Sequence, residues 1–331
     1  MKKLIAVFAV ACAVAFLPAF AFVGCGKKGE KTAKTTEYTV TFNYMGKADN
    51  ETVKVEKGGK AKKPAVKVLE GLEVGGWYTD EALSQANAYK FSSEVTGDIT
   101  LYAKWFDPYT YTEVEGGCAV NGYKGSATEA IIPSSYNNQP VVELQSTYNA
   151  SQKMDVSIFY GKRVSKVTLP ATLKTIGDSA FVWAKNVKSL VVPEGVETIG
   201  ERAFADTDIV YIELPTTLTT IKRSAFNESD ELASIVIPSG VEVIEDHAFS
   251  KCIKMKTVTI ESAVIYNAAT GSGDSTAGDL LQHVNTIYVL KSIVDDGLNE
   301  NEYLNGENTK FTKTNGEDQY ANYYVYTRNV D

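Results

Sequence analysis

Histidine occurs only twice in the 331 residues, at His247 and His283, and cysteine only four times. There is no His-Glu-x-x-His and no Cys-x-x-Cys, so the usual zinc spacings are absent. No Gly-x-x-x-x-Gly-Lys-Ser/Thr loop offers backbone N–H groups to a phosphate, and no Ser-x-x-Lys or Gly-x-Ser-x-Gly presents a nucleophile. The nearest miss, GDSTA at 273–277, lies in a loop without a strand-to-helix elbow. Glu194, Glu197 and Glu213 sit on regular repeats that suggest no cleft for paired carboxylates. Asp295, Asp296, Glu300, Glu302 and Glu307 lack the spacing of a calcium loop and read as solvated surface. The sequence thus predicts neither an enzyme nor a cofactor. A basic excess is missing too: 41 acids against 33 bases give a net charge of −8, which argues against nucleic acid as a partner.

Long apolar runs are confined to the N-terminus. Met1-Lys2-Lys3 precedes an uncharged apolar stretch, Leu4 to Val23, and FVGC follows at 22–25. This is the shape of a secretory signal, with residues 1–24 removed. FVGC resembles the lipobox of bacterial lipoproteins, with Phe22 where Leu is usual. The resemblance implies that Cys25 is diacylated and becomes the mature N-terminus, tethering the chain to a membrane. The rival reading is a retained span, about the ~20 residues that cross a bilayer, with Pro18 inside it. Residues 26–37, GKKGEKTAKTTE, complete a flexible charged linker over 25–37. Both readings put the rest of the chain outside the cytoplasm and tethered to a membrane, with the cell surface as the expected location. There Cys118 and Cys252 either pair or remain buried thiols. Cys252 follows an Ala-Phe pair by three residues, where a small buried side chain suits.

Over 38–106 the pattern has period two. YTVTFNYM (38–45) and ITLYAKW (99–105) alternate aromatic or aliphatic residues with Thr, Asn and Lys, which predicts half-buried strands. The polar stretch after GGWYTDEA (75–82) is open to a short helix. GWYTD and GDITLYAKW resemble the internalin-type B-repeat, a β-grasp-like α+β module of Gram-positive surface proteins. In that family it serves as a stalk or accessory binding unit. Trp77 and Trp105 read as core.

From 107 to 290 a 22–23-residue period takes over. Pro170, Pro193, Pro215 and Pro238 mark it, as do Phe181, Phe204, Phe226 and Phe249. Val167, Leu190, Ile212, Ile235 and Val258 form one apolar column; Ile176, Ile199, Ile221 and Ile244 form another. Such a unit is one coil of a solenoid: a strand ended by Pro, a second short strand, and a tight turn that tucks Phe inside. One coil cannot bury its own apolar face, so neighbours stabilise one another. VPEGVETIGERAF (192–204) resembles the BspA-like leucine-rich repeat of bacterial surface proteins. That resemblance implies a mainly β, right-handed solenoid with short helical turns. Lys222 and Glu245 replace the repeat's Gly, so those coils could turn differently. IIPSSYNNQPVVEL (131–144) reads as a divergent first coil, followed by an insertion over roughly 145–163. YTYTEVEGGCAVNGYKG (109–125) reads as an opening hairpin, and 291–331 as a C-terminal cap.

What remains for function is surface. Lys166, Ser189, Tyr211, Ser234 and Thr257 form one outward ladder; Thr168, Val191, Glu213, Val236 and Thr259 form the other. These make a shallow face suited to a protein or glycan, or merely tolerate stacking. Trp183 stands where sister coils carry Asp206, Glu228 and Lys251. It is either a contact anchor or is covered by the insertion. His247 fills a solvated coil slot. The expected role is a surface-tethered, non-catalytic adhesion protein. A structural spacer without a ligand is the alternative.

Overall fold

The computed structural model describes residues 35–262, 265–266, 283–292, 311–317 and 320–329. The signal segment with Cys25, the GDSTA loop and the acidic stretch 295–307 lie outside the described residues. Among the described residues no helix is long and apolar enough to cross a membrane.

Alternating residues in the first unit build β1 (Glu37–Asn43), β2 (Glu51–Glu56), β3 (Val68–Leu69), β4 (Leu72–Tyr78) and β5 (Ile99–Phe106). The strands lie in the order β2-β1-β5-β4-β3. β1 is parallel to β5 and antiparallel to β2, so the sheet is mixed. Trp77 packs edge-on against Phe42 at 4.9 Å and Tyr44 at 5.1 Å, and the Trp105 indole N–H donates to the Tyr44 carbonyl. Trp77 is buried in the core, and Trp105 is half-buried against it. The stretch left open to a helix is a single 3-10 turn, Gln85–Asn87.

This unit is docked on the array. The buried Glu73 carboxylate accepts from the Tyr123 hydroxyl and from the Ser126 N–H at 3.1 Å. Glu70 accepts from both the N–H and the hydroxyl of Ser134, at 2.8 and 2.6 Å. Those bonds hold the Glu70 carboxyl below its usual range.

The array opens with the antiparallel hairpin β6 (Tyr109–Val114) and β7 (Gly117–Tyr123). β8 (Glu129–Ile131), β9 (Ser135–Tyr136) and β10 (Gln139–Leu144) form the divergent first coil. The regular coils then alternate an outer and an inner strand. These are β13 (Lys166–Thr168) and β14 (Thr175–Ile176), β15 (Ser189–Val191) and β16 (Thr198–Ile199), β17 (Tyr211–Glu213) and β18 (Thr220–Ile221), β19 (Ser234–Ile237) and β20 (Val243–Ile244), β21 (Thr257–Ile260) and β22 (Ile265–Tyr266). Between β10 and β13 a hairpin projects, β11 (Thr147–Asn149) and β12 (Met154–Val156). β23 (Thr286–Leu290) pairs parallel with β21. β25 (Tyr323–Arg328) then adds antiparallel and β24 (Phe311–Asn315) follows, closing this end.

The inner strands make one continuous ladder, β22-β20-β18-β16-β14-β10-β7-β6. The outer strands do not. They divide into β8–β13, β15–β17 and β19–β21–β23. Their apolar side chains still share one core. The inner ladder and the phenylalanine column hold the coils together, so the short outer strands are free to splay as twist accumulates.

That column is longer than the repeat suggests. Phe181, Phe204, Phe226 and Phe249 stack at 5.1, 5.1 and 5.0 Å between centroids. Phe159 continues it at 5.7 Å from Phe181 and 5.5 Å from Tyr123. The insertion expected over 145–163 is therefore confined to the β11–β12 hairpin, because Ser157 to Phe159 have rejoined the coil. The tight turn expected at each Ala-Phe pair is built from alternating bonds. Phe181 N–H donates to Ala203 O in the next coil, and Val182 N–H to Ser179 O within its own. Each Pro accepts from the N–H three residues on, as at Pro170 and Leu173. At the position of the repeat's Gly, Gly177, Gly200, Lys222 and Glu245 all donate to the preceding coil's inner strand at 2.7–2.9 Å. The two non-glycine coils thus keep the same path.

Candidate binding surface

Within each outer sheet the residues of both predicted ladders are in register. Ser189 faces Tyr211, Val191 faces Glu213, Ser234 faces Thr257 and Val236 faces Thr259. Lys166, Thr168, Ser189, Val191, Tyr211, Glu213, Ser234 and Val236 are exposed, while Thr257 and Thr259 are half-buried. Val191, Tyr211 and Val236 keep 58%, 51% and 46% of their surface in water. The Tyr211 hydroxyl donates to Glu213 at 3.3 Å, and burial followed by the Glu213 charge pushes it above its ordinary range. Where the outer ladder breaks between β13 and β15, a groove of about 430 Å³ opens, lined by Thr168, Leu169, Val191 and Tyr211 among others. The register runs on to Tyr288, stacked on Tyr320 at 4.1 Å. The outer-strand period, continued one coil further, signals Tyr288, whereas Tyr320 comes from the terminal cap and carries no repeat signal.

Trp183 belongs to a different column. Each coil has two left-handed residues around its Ala-Phe pair. Ser179, Arg202, Ser224 and His247 precede it, with φ of 54–58°. Trp183, Asp206, Glu228 and Lys251 follow it, with φ of 56–60°. His247 therefore occupies a half-buried structural slot. In the second set the sister residues form a charged ladder: Lys251 pairs with Glu228, and Asp206 lies 3.8 Å from Arg202. Burial and the nearby Glu228 raise the Asp206 carboxyl, while the Lys251 hydrogen bond draws Glu228 down.

One coil earlier the same slot is Gly161, at φ +67°, and a side chain built there would meet nothing within 4 Å. The result is a pocket of about 480 Å³ bounded by Met154, Tyr160, Gly161, Lys162, Trp183 and Lys185, with Asn186 at its rim. Tyr160 meets Trp183 edge-on at 5.9 Å. Trp183 is half-buried. The end of the insertion covers one side, and the rest of the ring faces the pocket. Gly161 and Tyr160 were legible only through the 22-residue offset from Trp183 and its neighbours.

The thiols of Cys118 and Cys252 are buried and unbridged. Cys252 Sγ lies 3.2 Å from the Phe226 carbonyl, in a column where Ser229 and Thr207 donate to the Phe204 carbonyl. The slot after the Ala-Phe pair therefore takes a small hydrogen-bonding side chain.

A mixed-sheet module joined to a capped solenoid of parallel coils is a repeat protein. Residues 152–269 match the BspA-type leucine-rich repeat region in six copies, and residues 38–104 match the Listeria-Bacteroides repeat domain. The chain thus carries a BspA-type leucine-rich repeat block and a Listeria-Bacteroides repeat, as its motifs imply. Proteins of the BspA type are typically cell-surface proteins, and the family points to a repeat-based binding or adhesion role. Two proteins of Evansella cellulosilytica, described as membrane proteins, are 39% and 37% identical over 87 and 102 residues. These stretches are 26% and 29% of this chain but only 10% and 15% of those proteins. Among solved structures, a leucine-rich repeat protein of T. pallidum is 21% identical, covering 48% of this chain and 83% of its own, with a TM-score of 0.37. A leucine-rich cell surface protein of Faecalibacterium prausnitzii is 20% identical, covering 47% and 53%, with a TM-score of 0.30.

Proposed function

We propose that this protein is a surface-tethered, non-catalytic binding protein whose repeat array engages a protein or glycan. The observation that carries the reading is the exposure of the apolar residues Val191, Tyr211 and Val236 on the open outer face. Val210 and Ile253 are exposed elsewhere in the array, but Val191 and Tyr211 line one groove, and exposed apolar surface of this kind marks interaction sites. Small polar neighbours leave the face shallow, which suits a broad contact. Tethering is assigned to Cys25 as a lipidated N-terminus, on a bacterial, Gram-positive-type surface. In cells labelled with a fatty-acid analogue, label should enter the wild type and be lost in Cys25→Ala, with the chain released to the medium. For binding, the full chain is screened on glycan arrays and extracellular-matrix proteins, beside Tyr211→Ala and Val236→Ser. A ligand bound by wild type and weakened by both variants at unchanged stability supports the reading. A ligand indifferent to both moves the site off this face.

A second reading, a spacer without its own ligand, is favoured by the junction of Glu73 with Tyr123 and of Glu70 with Ser134, which stiffens the connection between module and array. It predicts that neither face variant changes any surface phenotype.

A further inference from the structure

The glycine-floored pocket beside Trp183 is not explained by the repeat. In this left-handed column the coil accepts charged residues, which pair with one another. Trp183 forgoes those pairs and accepts a backbone conformation that bulky residues seldom adopt. Its ring is not tucked into the core as Phe181 is: it remains half-buried, with Tyr160 against its edge. Gly161 removes the side chain that would otherwise fill the space above it. The volume, about 480 Å³, falls within the ~300–1,000 Å³ of small-ligand sites.

The charge around the pocket is also unusual. In a chain with an excess of acids, its lining holds two lysines and no carboxylate. Lys185 lies 3.2 Å from Asp208, which also pairs with Lys188 at 2.7 Å, so one acid serves two bases. Lys162 sits 5.8 Å over the Tyr123 ring, with no ion pair among the described residues. Asn186 donates its amide to the Lys162 carbonyl at 2.8 Å, which fixes this wall of the pocket.

We infer that this pocket binds an acidic sugar, its apolar ring face against Trp183 and its carboxylate toward Lys162 and Lys185. A pyranose offers a flat C–H face, ring hydroxyls for a polar rim, and in uronic or sialic acids one carboxylate. An acidic peptide side chain supplies the charge but no flat apolar face to match the indole. The assignment rests on the chain being a binding protein, but it uses a surface separate from the outer strands.

The test is titration of the full-length chain, in detergent micelles, with a galacturonic acid trisaccharide and with sialyllactose. A neutral galactose trisaccharide and a hexaglutamate peptide serve as controls. Binding is read by calorimetry and tryptophan fluorescence. Saturable binding of an acidic sugar is expected, weakened roughly tenfold or more by Trp183→Ala, as for a central aromatic anchor. Gly161→Asn fills the pocket with a residue that tolerates left-handed backbone and should also abolish binding, which covers the case where Trp183→Ala does not fold. Lys162→Gln should bring acidic-sugar binding down to the level of the neutral sugar. No saturable binding by folded wild type, equal binding of the neutral sugar, preference for hexaglutamate, or indifference to Gly161→Asn would each overturn the inference. A ligand still captured through Tyr211 in that case would leave the broader function standing.

Discussion

Phe204→Ala removes a ring from the middle of the aromatic column, where Phe204 is 1% exposed and lies between Phe181 and Phe226 at 5.1 Å on either side. Deleting the ring forfeits about 2–3 kcal/mol of apolar burial. An unrelaxed cavity of roughly 100 Å³ adds about 2 kcal/mol. Offset stacking with the two neighbours is worth a further ~0.5–1.5 kcal/mol per pair at most, part of it already counted in the buried area. A loss of about 4–5 kcal/mol is expected, large against the ~5–15 kcal/mol of a typical domain. Because a solenoid is coupled mainly between nearest neighbours, the damage should also be local at first. Urea denaturation gives the total, and native-state hydrogen exchange shows where it falls. Amides from Phe181 to Phe249 that bond from coil to coil should lose protection before those of β1 to β5. The exposed Tyr211→Ala is the control, expected within about 0.5 kcal/mol of wild type. If Phe204→Ala lost less than about 1 kcal/mol at an unchanged denaturant slope, the column would not be the spine of the array.

Three further outcomes are expected. Gly200→Ala places a Cβ 2.6 Å from the Asp178 amide nitrogen and should destabilise by about 1–3 kcal/mol in thermal melts, the cost of overpacking. Tyr123→Phe deprives the buried Glu73 carboxylate of a donor, so it should cost about 1–3 kcal/mol and hasten proteolysis between the module and the array. Glu70 has a folded-state pKa below its usual value through its bonds to Ser134, so its contribution is fully present above the unfolded pKa, near 4.5, and is lost as pH falls through the lowered folded value. Wild type should therefore lose more stability than Glu70→Gln between neutral and acid pH; equal losses would remove Glu70 from the account.

The architecture was legible because each coil repeats a local pattern. Val167, Leu190 and Ile212 recur at the same offset from Pro170, Pro193 and Pro215, and any stacking that buries one such residue buries the next. The outward ladders were legible for the same reason, since strand side chains alternate and the period fixes their register. What the tertiary structure decided lies where neighbouring coils differ. The outer ladder breaks between β13 and β15 while the inner one runs through, a choice made by splay and twist that no single coil encodes. Phe159 rejoins the column because the β11–β12 hairpin returns the chain to its starting point. The pocket beside Trp183 exists because Gly161, a coil away, leaves its slot empty, and because Tyr160 is brought to the edge of the indole. Within a coil, hydrophobic period and turn chemistry are local and can be read along the chain; a cavity depends on which side chains from different coils meet across space.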